Sequence, residues 1–153
     1  MAIIDYKNDM CNEERLLMAV VRAAETFKRI ISGVFRDYDL SFPQYNVLRV
    51  LDASKNGQCR ITHVSQIMLV PGANMTGIAK RLERNGFIIR KSDPGDERVK
   101  ILEITQKGKE ALANIERDRD QCQEKILKGF SQKEKEELLS GVRKLIQNSL
   151  RIL

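Results

Sequence analysis

The chain has 153 residues, enough for one domain of ordinary size with a real core, and its 42% hydrophobic and 31% charged content excludes a chain disordered throughout. No apolar run reaches the roughly 18–20 residues that cross a bilayer, and the opening MAIIDYKNDMCNEERLL lacks the basic-then-apolar start of a signal peptide, so we expect a cytoplasmic protein with no membrane partner. The formal charge is +6, while three widely spaced cysteines (Cys11, Cys59, Cys122) and a single histidine (His63) argue for a reducing compartment and against a zinc site.

In chain order, the apolar residues Leu16, Leu17, Val20, Val21, Ala24, Phe27, Ile30, Ile31 and Val34 recur at steps of three and four. Their spacing predicts an amphipathic helix over about residues 11–37, longer than one small core requires. Ser41-Phe42-Pro43-Gln44 reads as the start of a second helix: serine caps, proline suits the first turn, and glutamine lies three residues after the serine. Lys55-Asn56-Gly57 breaks it, and a short helix carrying Val64, Ile67 and Met68 begins near Thr62. Turn residues at Val70-Pro71-Gly72 lead into another helix through Met75, Ile78, Ala79 and Leu82, with Gly86 placed as its C-terminal stop.

The period then shifts. Residues 87–91 and 99–104 are β-prone, and the seven residues 92–98 between them are rich in turn formers, so we expect a hairpin with a polar, flexible tip. Thr105 is placed to cap a long helix to about residue 128, and Ser131-Gln132-Lys133-Glu134 is a capping box for a last one. The expected architecture is mainly α with a small β-hairpin.

Charge is most one-sided over residues 71–91, where Lys80, Arg81, Arg84, Arg90 and Lys91 face Glu83 alone. If Met75, Ile78, Ala79 and Leu82 face the core, Asn74, Thr76, Gly77, Lys80, Arg81 and Arg84 lie on or beside the outer face. The hairpin adds Arg90, Lys91, Arg98 and Lys100. A short helix, a tight turn, a basic second helix and a basic hairpin form the pattern of a winged helix–turn–helix that meets double-stranded DNA. No nucleophile motif or ligand cluster accompanies the lone His63, so we expect no catalytic residue, no metal and no cofactor.

Residues 71–112, PGANMTGIAKRLERNGFIIRKSDPGDERVKILEITQKGKEAL, resemble the MarR family of bacterial regulators. The likeness runs through the recognition helix, its glycine stop, the wing pattern Asp93, Asp96, Arg98, and the pair Thr105 and Gly108. Phe42-Pro43-Gln44-Tyr45 with Leu48 is similar to the family's second helix, and the resemblance extends over nearly the whole chain. It implies a homodimer built by residues 1–40 and 105–153, with 41–104 as the DNA-binding lobe, acting on a pseudo-palindromic operator. Residues 126–153 would supply much of the shared apolar core, Leu145 and Ile146 among them. It further implies a repressor relieved by a small ligand, an aromatic acid being one candidate, held in a pocket bordered by Arg22, Phe27, Tyr38, Tyr45 and Arg49. In the wing, Arg98 is expected in the minor groove with Asp93 or Asp96 holding its guanidinium. Gly77 and Glu97 stand where family members often carry arginine. They leave open the alternative of a winged-helix protein-interaction module with weak or lost DNA binding. Some relatives sense oxidants near the start of the first helix, but Cys11 stands before the apolar run, and we expect no redox role for it.

Overall fold

A computed structural model of the protein describes residues 11–153. The first ten residues, which bear on the signal-peptide reading and open the 1–40 segment, lie outside the described residues. The chain divides into two compact units, one up to Arg117 and the other Asp118–Leu153.

Helix α1 (Asn12–Arg36) carries Glu13 and Glu14 in its first turn and Arg36 in its last, the arrangement that complements a helix dipole. Only Ile31 and Phe35 near its end are buried. Helix α2 (Phe42–Asp52) starts at the expected capping box. The Ser41 hydroxyl accepts the Gln44 N–H at 3.4 Å, and the Gln44 side chain accepts the Ser41 N–H at 2.8 Å. Val47, Leu48 and Leu51 of α2 are fully buried and form the centre of the first unit's core.

After a 3-10 turn at Lys55–Gly57 comes a strand that the sequence reading missed, β1 (Gln58–Arg60). Helix α3 (Ile61–Met68) follows directly, and Leu69 takes a left-handed conformation (φ 53°) to turn the chain into α4 (Gly72–Arg84). Gly86, at φ 78°, ends that helix as expected. Strands β2 (Ile88–Asp93) and β3 (Asp96–Ile104) make the hairpin, and β1 pairs antiparallel with β3, so the sheet has three strands in the order β1-β3-β2. The hairpin also differs from expectation at its tip: Asp93 pairs with Asp96, leaving only Pro94 and Gly95 as the loop. Ile88, Leu102 and Ile104 of the sheet join Val64, Met75, Ala79 and Leu82 in the core.

Helix α5 (Gln106–Ile126) begins one residue after β3 and runs from the first unit into the second. Thr105 caps it, accepting the Gly108 N–H at 3.1 Å. Its own hydroxyl donates to the Gly86 carbonyl at 2.7 Å, with the Phe87 carbonyl at 3.0 Å. Helix α6 (Gln132–Leu150) opens with the Ser131/Glu134 capping box and has no buried residue.

Candidate nucleic-acid interface

The two faces of α4 follow from its spacing. Met75, Ile78, Ala79 and Leu82 are buried, which turns Asn74, Thr76, Lys80, Arg81 and Arg84 outward, all exposed. Gly77 is half-buried among them, and a Cβ built there meets only the Arg81 guanidinium, at 3.8 Å. The Thr76 hydroxyl donates to the Gly72 carbonyl at 3.1 Å. Lys80, Arg81 and Arg84 have no ion-pair partner among the described residues. The one acidic side chain of α4, Glu83, is drawn to β2, where its carboxylate lies 2.6 Å from the Arg90 guanidinium. That contact holds the Glu83 carboxyl below the ordinary glutamate range, and it leaves the outer face of α4 purely cationic.

The hairpin cations are arranged less freely than the sequence implied. Arg90 is half-buried against Glu83. Lys91 pairs with Glu103 of β3, which also accepts from Gln58 of β1 at 2.9 Å, so one carboxylate ties the three strands together. Lys100 donates to the Ser92 hydroxyl at 2.8 Å and to the Glu97 carbonyl at 3.1 Å. Arg98 differs from all three. It is exposed, and its guanidinium has no acidic partner among the described residues. Neither wing aspartate holds it as expected: Asp96 accepts the backbone N–H of Arg98 at 3.0 Å, and Asp93 pairs with Arg60 at 3.0 Å. Arg60 escaped the sequence reading because its partner is 33 residues away.

The five residues read as a pocket border have different surroundings within the chain. Tyr45 is buried and stacked on Phe35 with ring centroids 4.0 Å apart, and Phe27 meets Phe42 edge-on at 6.1 Å. Arg22 and Arg49 are exposed. Tyr38 alone of the five lines a cleft of about 780 Å³, together with Arg84, Asn85, Phe87, Lys107 and Asn114. Its hydroxyl donates to the Asn114 carbonyl at 3.1 Å, and the Lys107 ammonium sits 4.7 Å above the centre of the Phe87 ring. The three cysteines are free thiols, and no group of His, Cys, Asp and Glu able to hold a metal occurs among the described residues.

The sequence model of the MarR family matches residues 38–99. The HTH-type transcriptional regulator BilQ of Clostridioides difficile is 30% identical over 139 residues, covering 91% of each chain. The HTH-type regulator YxaD of Bacillus subtilis is 33% identical over 112 residues, covering 71% of this chain and 77% of its own. Among solved structures, Sco3205, a MarR family regulator from Streptomyces coelicolor in complex with DNA, superposes with a TM-score of 0.84 at 20% identity, covering 94% of this chain and 92% of that one. BpsR of Bordetella bronchiseptica, whose DNA binding is regulated by 6-hydroxynicotinic acid, gives 0.77 at 21% identity, covering 86% and 98%. The chain belongs to the MarR family: it is a winged-helix, DNA-binding transcription regulator and not an enzyme.

Proposed function

We propose that the chain works as a homodimeric cytoplasmic repressor on a pseudo-palindromic stretch of double-stranded DNA, released by a small anionic ligand. The outer face of α4 carries the reading. Asn74 and Thr76 offer groups for base edges, while Lys80, Arg81 and Arg84 present unpaired charge to phosphates, on a helix of the diameter that a major groove admits. The wing then lies beside the adjacent minor groove, where the negative potential favours Arg98.

Two apolar faces support a second copy. On α1, Leu16, Leu17, Met18 and Val21 are exposed, and on α6 so are Leu138, Leu139, Ile146 and Leu150. Exposed apolar surface on this scale marks an interaction site. Residues 1–40 and 105–153 then form the dimerisation region, and 41–104 the DNA-binding lobe. No described helix is long and apolar enough to cross a membrane. The cleft beside Arg84 supports the ligand: it joins the Phe87 ring to two cations, Arg84 and Lys107, and an anion there competes with DNA for Arg84.

Titrating the protein onto its own upstream DNA at several salt concentrations tests the reading. Affinity should fall steeply with salt, and Arg84→Ala should weaken binding to all sequences and reduce the salt slope by about one unit. Thr76→Ala should instead relax sequence preference. Absence of binding at low salt would support the protein-interaction alternative, and an Arg84→Ala variant with unchanged slope would remove the phosphate contact.

A further inference from the structure

The wing tip is held from outside the wing. Asp93 Oδ1 accepts the Gly95 N–H at 2.9 Å, folding Pro94-Gly95 back over the carboxylate, and Asp93 Oδ2 accepts from Arg60 Nη2 at 3.0 Å. Arg60 is the last residue of β1 and immediately precedes α3, so this contact joins the wing to the first helix of the helix–turn–helix. The Asp93 side chain is 17% exposed and that of Arg60 is 62% exposed, so the carboxylate is the sheltered partner.

The position of Arg98 gives this pair its meaning. Ser92 pairs with Lys100 and Asp93 with Asp96, so residues 97–99 form a bulge opposite the Ser92/Asp93 step, with Arg98 at its middle. Bulges re-aim side chains. An unoccupied Asp93 carboxylate at that step is a natural partner for the Arg98 guanidinium, which would then be lost to DNA. Exposed ion pairs of this kind add little to folding stability, so the effect of the Arg60 contact lies in which cation Asp93 holds.

The geometry points to Arg60 as a positioning residue for DNA binding: by occupying Asp93 it keeps that carboxylate from capturing Arg98, whose guanidinium stays free for the minor groove. This rests on the reading of the wing as a DNA-contacting element.

The test uses duplexes that the wild-type protein enriches from a random-sequence pool, titrated by fluorescence anisotropy at fixed salt, with thermal melts confirming that each variant is folded. Arg98→Ala should weaken the wild type about tenfold, the loss of one good contact. Arg60→Ala should weaken it by a comparable factor, and Arg98→Ala added to Arg60→Ala should cost less than about threefold more, since Arg98 is already sequestered. Asp93→Asn keeps an amide oxygen for the Gly95 N–H but removes the charge that captures Arg98. The Arg60→Ala/Asp93→Asn double variant should therefore recover most of the affinity that Arg60→Ala lost. A plain phosphate contact by Arg60 predicts no such recovery. A double variant that binds no better than Arg60→Ala, an Arg98→Ala cost that is the same in both backgrounds, or an Arg98→Ala variant of unchanged affinity would each overturn the proposal. A wild type that enriches no duplex would refute the regulator reading itself.

Discussion

Replacing Gly108 with alanine should be among the most damaging one-atom changes in the first unit. A Cβ at this position meets the Phe87 carbonyl oxygen at 2.5 Å and Ile104 Cγ1 at 2.7 Å. The side chain of Ile104 has some room to rotate, but the Phe87 carbonyl does not move freely: it accepts the Thr105 N–H at 3.0 Å. Overpacking of this sort costs about 1–3 kcal/mol, and weakening that hydrogen bond adds about 1 kcal/mol. Alanine's better helix propensity returns about 1 kcal/mol, leaving a net loss of about 1–3 kcal/mol. Gly77→Ala is the control, because the same exchange inside α4 meets nothing nearer than the Arg81 guanidinium at 3.8 Å. It should stabilise by about 0.5–1 kcal/mol. The two alanine variants should thus differ by roughly 2–4 kcal/mol, or about 5–15 °C in melting temperature for a chain of this size. Thermal unfolding followed by circular dichroism, at one fixed protein concentration since any self-association raises the midpoint, measures the difference. A Gly108→Ala protein as stable as Gly77→Ala would show that the junction yields, and the packing argument would fall.

Introducing Leu145→Asp and Ile146→Asp together places two charges in the proposed subunit interface, at a cost of several kcal/mol. Light scattering at micromolar concentration should show a dimer for the wild type and a monomer for the variant, and a monomeric wild type would end the dimer reading. The Glu83–Arg90 pair should leave a trace in acid. The Arg90 guanidinium depresses the Glu83 carboxyl below its ordinary value near 4.5, so the pair's contribution is fully present above that pH and is lost as pH falls through the depressed value. Glu83 and Arg90 are both about one-third exposed, so the effect is modest, under about 1 kcal/mol. Glu83→Gln should remove it, and a variant with the wild-type acid-unfolding profile would count against the pair.

Local signals in the sequence marked most of the fold. Ser41 with Gln44 and Ser131 with Glu134 set two helix starts because capping needs only residues three apart. Gly86 ended α4 for the equally local reason that its positive φ suits glycine. What was missed depends on distant partners. Three residues, Gln58, Cys59 and Arg60, carry no strand periodicity of their own, and they become a strand only by pairing with Glu103, Leu102 and Ile101. The wing's turn formers misled in a similar way, since Asp96 and its neighbours extend β3 and leave a two-residue tip. In the site, the outer face of α4 could be read from the spacing of its buried residues. The state of the wing cations could not: Arg90, Lys91 and Lys100 are each occupied by a group on another strand or helix, and only Arg98 is left open. The ring partners of two of the residues named for the pocket border were equally out of reach of the sequence: Tyr45 stacks on Phe35 and Phe27 meets Phe42.

A single residue, Thr105, separates the end of β3 from the start of α5. Its backbone N–H and hydroxyl are both fastened to the Gly86-Phe87 turn at the root of the wing, and Lys107 adds a bond to the Asn85 carbonyl at 2.7 Å. Such a joint is an elbow without slack. There is no run of free residues to absorb a twist, so rotating the first turn of α5 carries the wing root and the end of α4 with it. The first turn of α5 is therefore a mechanical handle on α4 and the wing, the two elements proposed to meet DNA, and a small displacement applied there arrives at the wing as a change of angle.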